Sequence, residues 1–113
     1  MPEQRRRHWW LTYRGHKIDF TGDQFGGPAI LVDVPAGPEA DIVKRVGEKI
    51  RGRLSDPSGN CFDCSVAAGI LLAAEGVHVR LRKGAVGLDG EYREESAHSI
   101  DFESLAGFLG MLD

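Results

Sequence analysis

No stretch of this 113-residue chain stays apolar over the roughly 20 residues that a membrane-spanning helix needs. Its charged start is not followed by an apolar run, so no classical signal peptide is expected. Cysteine is scarce: Cys61 and Cys64 are the only two, three positions apart. Such a pair does not make a disulfide framework, and a reducing compartment is the simplest inference. The expected location is cytoplasmic, or exported without a classical signal peptide. Excess charge of one sign is lacking too. The net charge is −3 and no extended basic face is visible, which argues against nucleic acid as the main partner. The one basic run, Arg5-Arg6-Arg7, reads as part of a solvated tail over residues 1–7. Internal repeats and low-complexity segments are absent.

What is present fits one domain, 1–113, with a modest two-layer core and no room for a second domain. His8 to Tyr13 is aromatic and β-prone, Arg14-Gly15 supplies a turn, and His16 to Thr21 alternates again, which predicts a β-hairpin. Ala29 to Val34 reads as a short third strand. From Glu39 to Leu54 apolar residues recur at three and four positions, predicting an amphipathic surface helix. A second helix, from near Asn60 to about Ala74, is apolar nearly all round and therefore buried. Val77, Val79 and Leu81 alternate with polar residues as a half-buried strand. Residues 83–100 are polar and Gly-rich, with room for one more short strand around Val86 or Tyr92. Phe102 to Leu112 fits a closing helix.

Cys61 lies at the predicted start of the buried helix. A thiolate there meets the positive end of the helix dipole and free backbone N–H groups, which lower its pKa. The same N–H groups can donate to an oxyanion once an acyl group is attacked. Gly59, just before it, allows close approach of a substrate or a second backbone. Cys64 reads as a small core residue. The Cys61-x-x-Cys64 spacing also admits a redox pair or half a zinc site. Zinc needs two more ligands, yet no second C-x-x-C or H-x-x-x-H exists, so neither metal nor cofactor is expected. The redox form expects a preceding strand, whereas this cysteine follows a polar loop after a helix.

Strand geometry tests a partner for that thiol. With Arg14-Gly15 as a two-residue turn, Tyr13 faces His16, Leu11 faces Ile18, Trp10 faces Asp19 and His8 faces Thr21. Alternation then puts His8, Trp10, Asp19 and Thr21 on one face. His8 and Asp19 become diagonal neighbours, about 7 Å apart, within reach of an imidazole–carboxylate hydrogen bond. Such a bond fixes the tautomer and leaves the other ring nitrogen to take the thiol proton. His16 and His78 read as outward-facing strand residues.

The run His8, Trp10, Gly15, Ile18-Asp19-Phe20-Thr21 and Gln24-Phe25 resembles the histidine and aspartate strands of papain-like and transglutaminase-like cysteine enzymes. Gly59-Asn60-Cys61-Phe62-Asp63-Cys64-Ser65, the helix after it and the Gly76-Val77 turn are similar to the nucleophile segment of that superfamily, including papain-fold toxin domains. The two segments cover about half the chain. The resemblance implies an α+β papain-like domain, a nucleophile helix packed on a small antiparallel sheet. The family usually runs Cys, His, Asp; here His and Asp come first, so the order would be circularly permuted. The resemblance implies Cys61 as nucleophile, His8 as base and Asp19 as the residue that orients it, with Asn60, Trp10 and Gly59 on the oxyanion or substrate side. His98, followed by Asp101, is the rival base in the family's usual order. Gln24 would anchor the loop after the aspartate strand. The implied activity is acyl transfer from an amide of a protein or peptide substrate, as in a cysteine protease, deamidase or transglutaminase. The competing reading is an inhibitor or adaptor that keeps the fold without the chemistry.

Overall fold

The computed structural model describes residues 5–53, 59–87 and 90–111. It is an α+β fold with a five-stranded antiparallel sheet and three α-helices. In chain order these are β1 (Arg5–Tyr13), β2 (His16–Asp19), β3 (Leu31–Val32), α1 (Pro38–Arg51), α2 (Cys61–Ala74), β4 (Arg80–Gly87), β5 (Tyr92–His98) and α3 (Phe102–Phe108); a 3-10 turn spans Gly22–Phe25. The spatial order is β3-β2-β1-β4-β5, so β1 is the central strand.

The hairpin forms in the expected register, Tyr13 opposite His16 and Leu11 opposite Ile18. Its two turn residues both take positive φ, 49° at Arg14 and 82° at Gly15, as a right-twisted two-residue turn requires. β2 is shorter than expected and pairs with β1 only over Leu11–Tyr13. It stops at Asp19 because the Asp19 side chain accepts from the Thr21 N–H, 3.0 Å, and so turns the chain. β1 continues alone on that side, and its lower half has an edge open to other elements.

Several boundaries differ from the sequence reading. Arg5 to Arg7 belong to β1, paired with Gly87, Val86 and Ala85 of β4, so the tail expected over 1–7 does not extend into them. A charge run reads as solvated until a partner strand is known to lie beside it. The third strand shrinks to Leu31–Val32. The strand expected from Val77 starts at Arg80, runs on to Gly87 and is answered by β5, so Val86 and Tyr92 lie on two paired strands. The ends expected for the first and last helices, Leu54 and Leu112, lie outside the described residues.

The core sits between the sheet and the helices. Leu11, Ile18 and Leu81 face it from the strands; Val43, Ala68, Leu72 and Phe102 fill it from the helices. α2 lies innermost, against β1, α1 and α3, which is why it carries almost no charge. Strand alternation turns His8, Trp10 and Thr12 to the other face of β1, and Trp10 is buried there too. Gly84 makes this possible. It sits where the β4–β5 register shifts, and a Cβ on it would run into the Arg93 carbonyl and the Trp10 ring. No helix among the described residues is long and apolar enough to cross a membrane.

Candidate active site

The site assembles at the open edge of β1. α2 docks there by its first turns, and both backbone polar groups of Trp9 turn toward it. The Trp9 carbonyl accepts from Ser65 Oγ at 3.3 Å, and its N–H lies near enough to the Cys61 sulfur to lower the thiol's pKa. Cys61 is the first residue of α2, with Asn60 as N-cap; the first helical bond runs from the Cys64 N–H to the Asn60 carbonyl, 2.8 Å. The N–H groups of Cys61, Phe62 and Asp63 precede that bond and have no partner inside the helix. That of Phe62 also lowers the pKa of the Cys61 thiol.

His8 and Asp19 meet as strand parity predicts. His8 Nε2 lies 2.6 Å from Asp19 Oδ2, and both side chains are fully withdrawn from solvent. Asp19 is held from every side. Its Oδ1 accepts from the Thr21 N–H and hydroxyl, and its Oδ2 also accepts from the Tyr92 hydroxyl. With Nε2 taken, Nδ1 is left buried, and it makes no hydrogen bond of regular geometry among the described residues. His8 and the Cys61 thiol nevertheless lie close enough to shift each other's titration. The two groups are adjacent without a regular hydrogen bond between them.

The electrostatics favour a charged pair. Burial pulls the His8 pKa down, but the Asp19 hydrogen bond, the Cys61 thiol and the Asp19 charge outweigh it and raise it to about 9. Burial pushes the Cys61 thiol up; His8 and the Trp9 and Phe62 N–H groups outweigh that and lower it below its ordinary value of 9.0. Asp19 is likewise lowered: burial opposes its charge, and His8, Tyr92 and Thr21 overcome this. All three shifts run toward the charged forms: imidazolium at His8, thiolate at Cys61 and carboxylate at Asp19.

The surroundings explain the rigidity. Phe25 sets its ring edge-on to His8 at 4.6 Å, and Trp10 stacks beside it at 6.0 Å. The turn carrying Phe25 is tied to the end of α1 by a forked ion pair, Arg51 to Asp23, at 2.7 and 3.1 Å. Tyr92 packs against Trp10 and carries Lys17 Nζ 4.0 Å above its ring.

The structure thus brings together Cys61, His8 and Asp19, with Asn60 and Gly59 at the helix start; Gly59 holds a φ of 75°. Trp10, expected on the substrate side, is buried at 3% exposure, so it supports His8 from behind. The rival base is not placed for the role. His98 is exposed on β5, and Asp101 caps α3 by accepting from the Ser104 N–H at 3.0 Å. Gln24 closes the turn through its backbone N–H to the Thr21 carbonyl, 3.3 Å, while its buried Nε2 has no partner among the described residues. Cys64 packs in the core, where burial raises its thiol to about 11.

Tyr92 and the Trp9 backbone are the members that sequence reasoning missed. Tyr92→Phe removes one donor to a buried carboxylate, so a loss of about 1.5–3 kcal/mol is expected. Urea unfolding of the native protein and the variant measures it directly. Among the described residues no cluster of three or more His, Cys, Asp or Glu side chains could hold a metal ion. No protein family, no curated protein and no solved structure matches the chain.

Proposed function

We propose that the protein is a thiol-dependent acyl-transfer enzyme acting on an amide of a protein or peptide, with a circularly permuted papain-like core. One observation carries this reading: a fully buried His8 is held through Nε2 by a buried carboxylate, and its ring lies beside a thiol at a helix start whose pKa is lowered. A histidine kept only for packing has no need of a buried carboxylate on one side and a thiol on the other.

The chemistry follows from the placement. The Cys61 thiolate attacks the carbonyl carbon; a C–S bond forms and the π pair moves to oxygen. The first-turn N–H groups of α2 and Asn60 are the donors nearest that oxyanion. The tetrahedral adduct collapses, the C–N bond breaks, and His8 Nδ1–H gives its proton to the leaving nitrogen. A thioester remains on Cys61. Water, giving a proton to Nδ1, hydrolyses it and restores the thiolate; an amine in place of water gives transfer. Asp19 keeps Nε2 protonated and steadies the imidazolium throughout.

A p-nitrophenyl ester tests the first half. A burst of p-nitrophenolate with an acyl group on Cys61, seen by intact-mass spectrometry, is expected; Cys61→Ala abolishes it and Cys64→Ser leaves it. Acylation no faster than that of an unfolded cysteine peptide would contradict the proposal. Loss of the burst in Cys64→Ser would point to a redox pair instead.

A further inference from the structure

Phe62 is 42% exposed, and the other large exposed apolar residues among those described, Leu105, Phe108, Leu109 and Met111, lie on or just after α3. It stands next to the nucleophile in the chain, at a place where the core does not need it. Its ring meets Trp9 edge-on, 4.9 Å between centroids at 70°. Trp9 in turn meets His98 at 4.9 Å and 51°, and Lys83 Nζ lies 5.2 Å from its ring centre. Phe62 follows Cys61 directly in the first turn of α2, and the Trp9 backbone is tied to the same helix through its carbonyl, which accepts from Ser65 Oγ. The aromatic cluster and the nucleophile therefore meet at the start of α2.

We propose that Trp9, Phe62 and His98 form a subsite for a large apolar side chain, aromatic by preference, of the peptide acylated at Cys61. The assignment rests on the acyl-transfer reading and names its substrate class. Phe62 leaves ring surface open to a third aromatic group, and such groups prefer offset or edge-on contact with it. Lys83 and His98 give the cluster a polar margin around an apolar centre, as in ligand sites. Its size fits one side chain. A second copy of the chain would need about 1,000 Å² of buried surface, far more than two or three rings provide.

Two alkylating probes test this: iodoacetamide and N-benzyl iodoacetamide. In both, the thiolate attacks the methylene carbon, the S–C bond forms, and iodide leaves with the C–I pair. Each rate on Cys61 is divided by the rate of the same probe with glutathione. The benzyl probe is expected to be favoured about 10-fold, the worth of one added ring contact. In Phe62→Ala the ratio should fall toward one, and in Phe62→Tyr it should be kept. Taking a ratio cancels any change in the intrinsic reactivity of Cys61. A native ratio near one, or an unchanged ratio in Phe62→Ala, overturns the subsite. So does a Phe62→Ala variant that alters the sedimentation coefficient and not the ratio, which would mark a contact between copies. The pH dependence of the iodoacetamide rate reads the catalytic pair separately. An ordinary thiol with the ratio retained overturns the acyl-transfer reading and leaves only an apolar contact beside Cys61; a lowered thiol pKa with no preference overturns the subsite alone.

Discussion

His8→Ala is expected to slow acylation of Cys61 at neutral pH by about 10²–10⁴-fold, the usual worth of a positioned acid–base group. The loss has two parts. The thiol loses the imidazole that most strongly lowers its pKa, so less thiolate is present. On an amide the leaving nitrogen also loses its proton donor, whereas p-nitrophenolate leaves as the anion, so the ester reads the first part alone. The Trp9 and Phe62 N–H groups remain and keep some activation. Residual acylation should therefore exceed that of Cys61→Ala, which has no nucleophile. Burst kinetics on the ester, with both variants at equal concentration, make the comparison. Equal burst rates in native and His8→Ala protein would remove His8 from the chemistry.

Asp19→Asn should be the most destabilising of the conservative changes at the site, by roughly 3–5 kcal/mol, because it leaves a buried imidazolium without its counter-charge. The pH dependence has a definite sign. Asp19 has its pKa lowered from 3.8, so its contribution is present above that value and is lost as pH falls through the folded pKa. His8 is raised from 6.5 to about 9, so its contribution is full below 6.5 and is lost as pH rises through about 9. The stability gap between native and Asp19→Asn protein is therefore widest from about pH 4 to pH 6.5 and narrows on both sides. Urea titrations at pH 3, 5.5 and 9.5 trace it. A gap that stays constant across this range would mean that the pair is not ionised in the folded protein.

The part of the site legible in the sequence is the part governed by local rules. A two-residue turn fixes register, register fixes parity, and parity puts His8 beside Asp19. Cys61 was legible because a polar loop ends and an apolar helix begins there. Tyr92 was not, because β5 is exposed along nearly all its length and has no alternating apolar signal. Its contact with Asp19 spans 73 positions and depends on the β4–β5 register shift beside Gly84, which no local pattern announces. Trp10 shows the limit of parity. Alternation gives the correct face, but whether that face is open or covered depends on β5 and the Phe25 turn. Arg5 to Arg7 were misread for a related reason: their strand character comes from β4, some 80 positions away.

The alkylation rate of Cys61 against pH, in native protein and in His8→Ala, tests the central claim most directly. An imidazolium–thiolate pair predicts rapid alkylation well below pH 9 in the native protein and a shift of the profile upward in the variant, toward the ordinary thiol value of 9.0. Cys64, buried and raised to about 11, will not obscure the reading. A native profile already centred at the ordinary value, and unmoved by His8→Ala, would contradict the account.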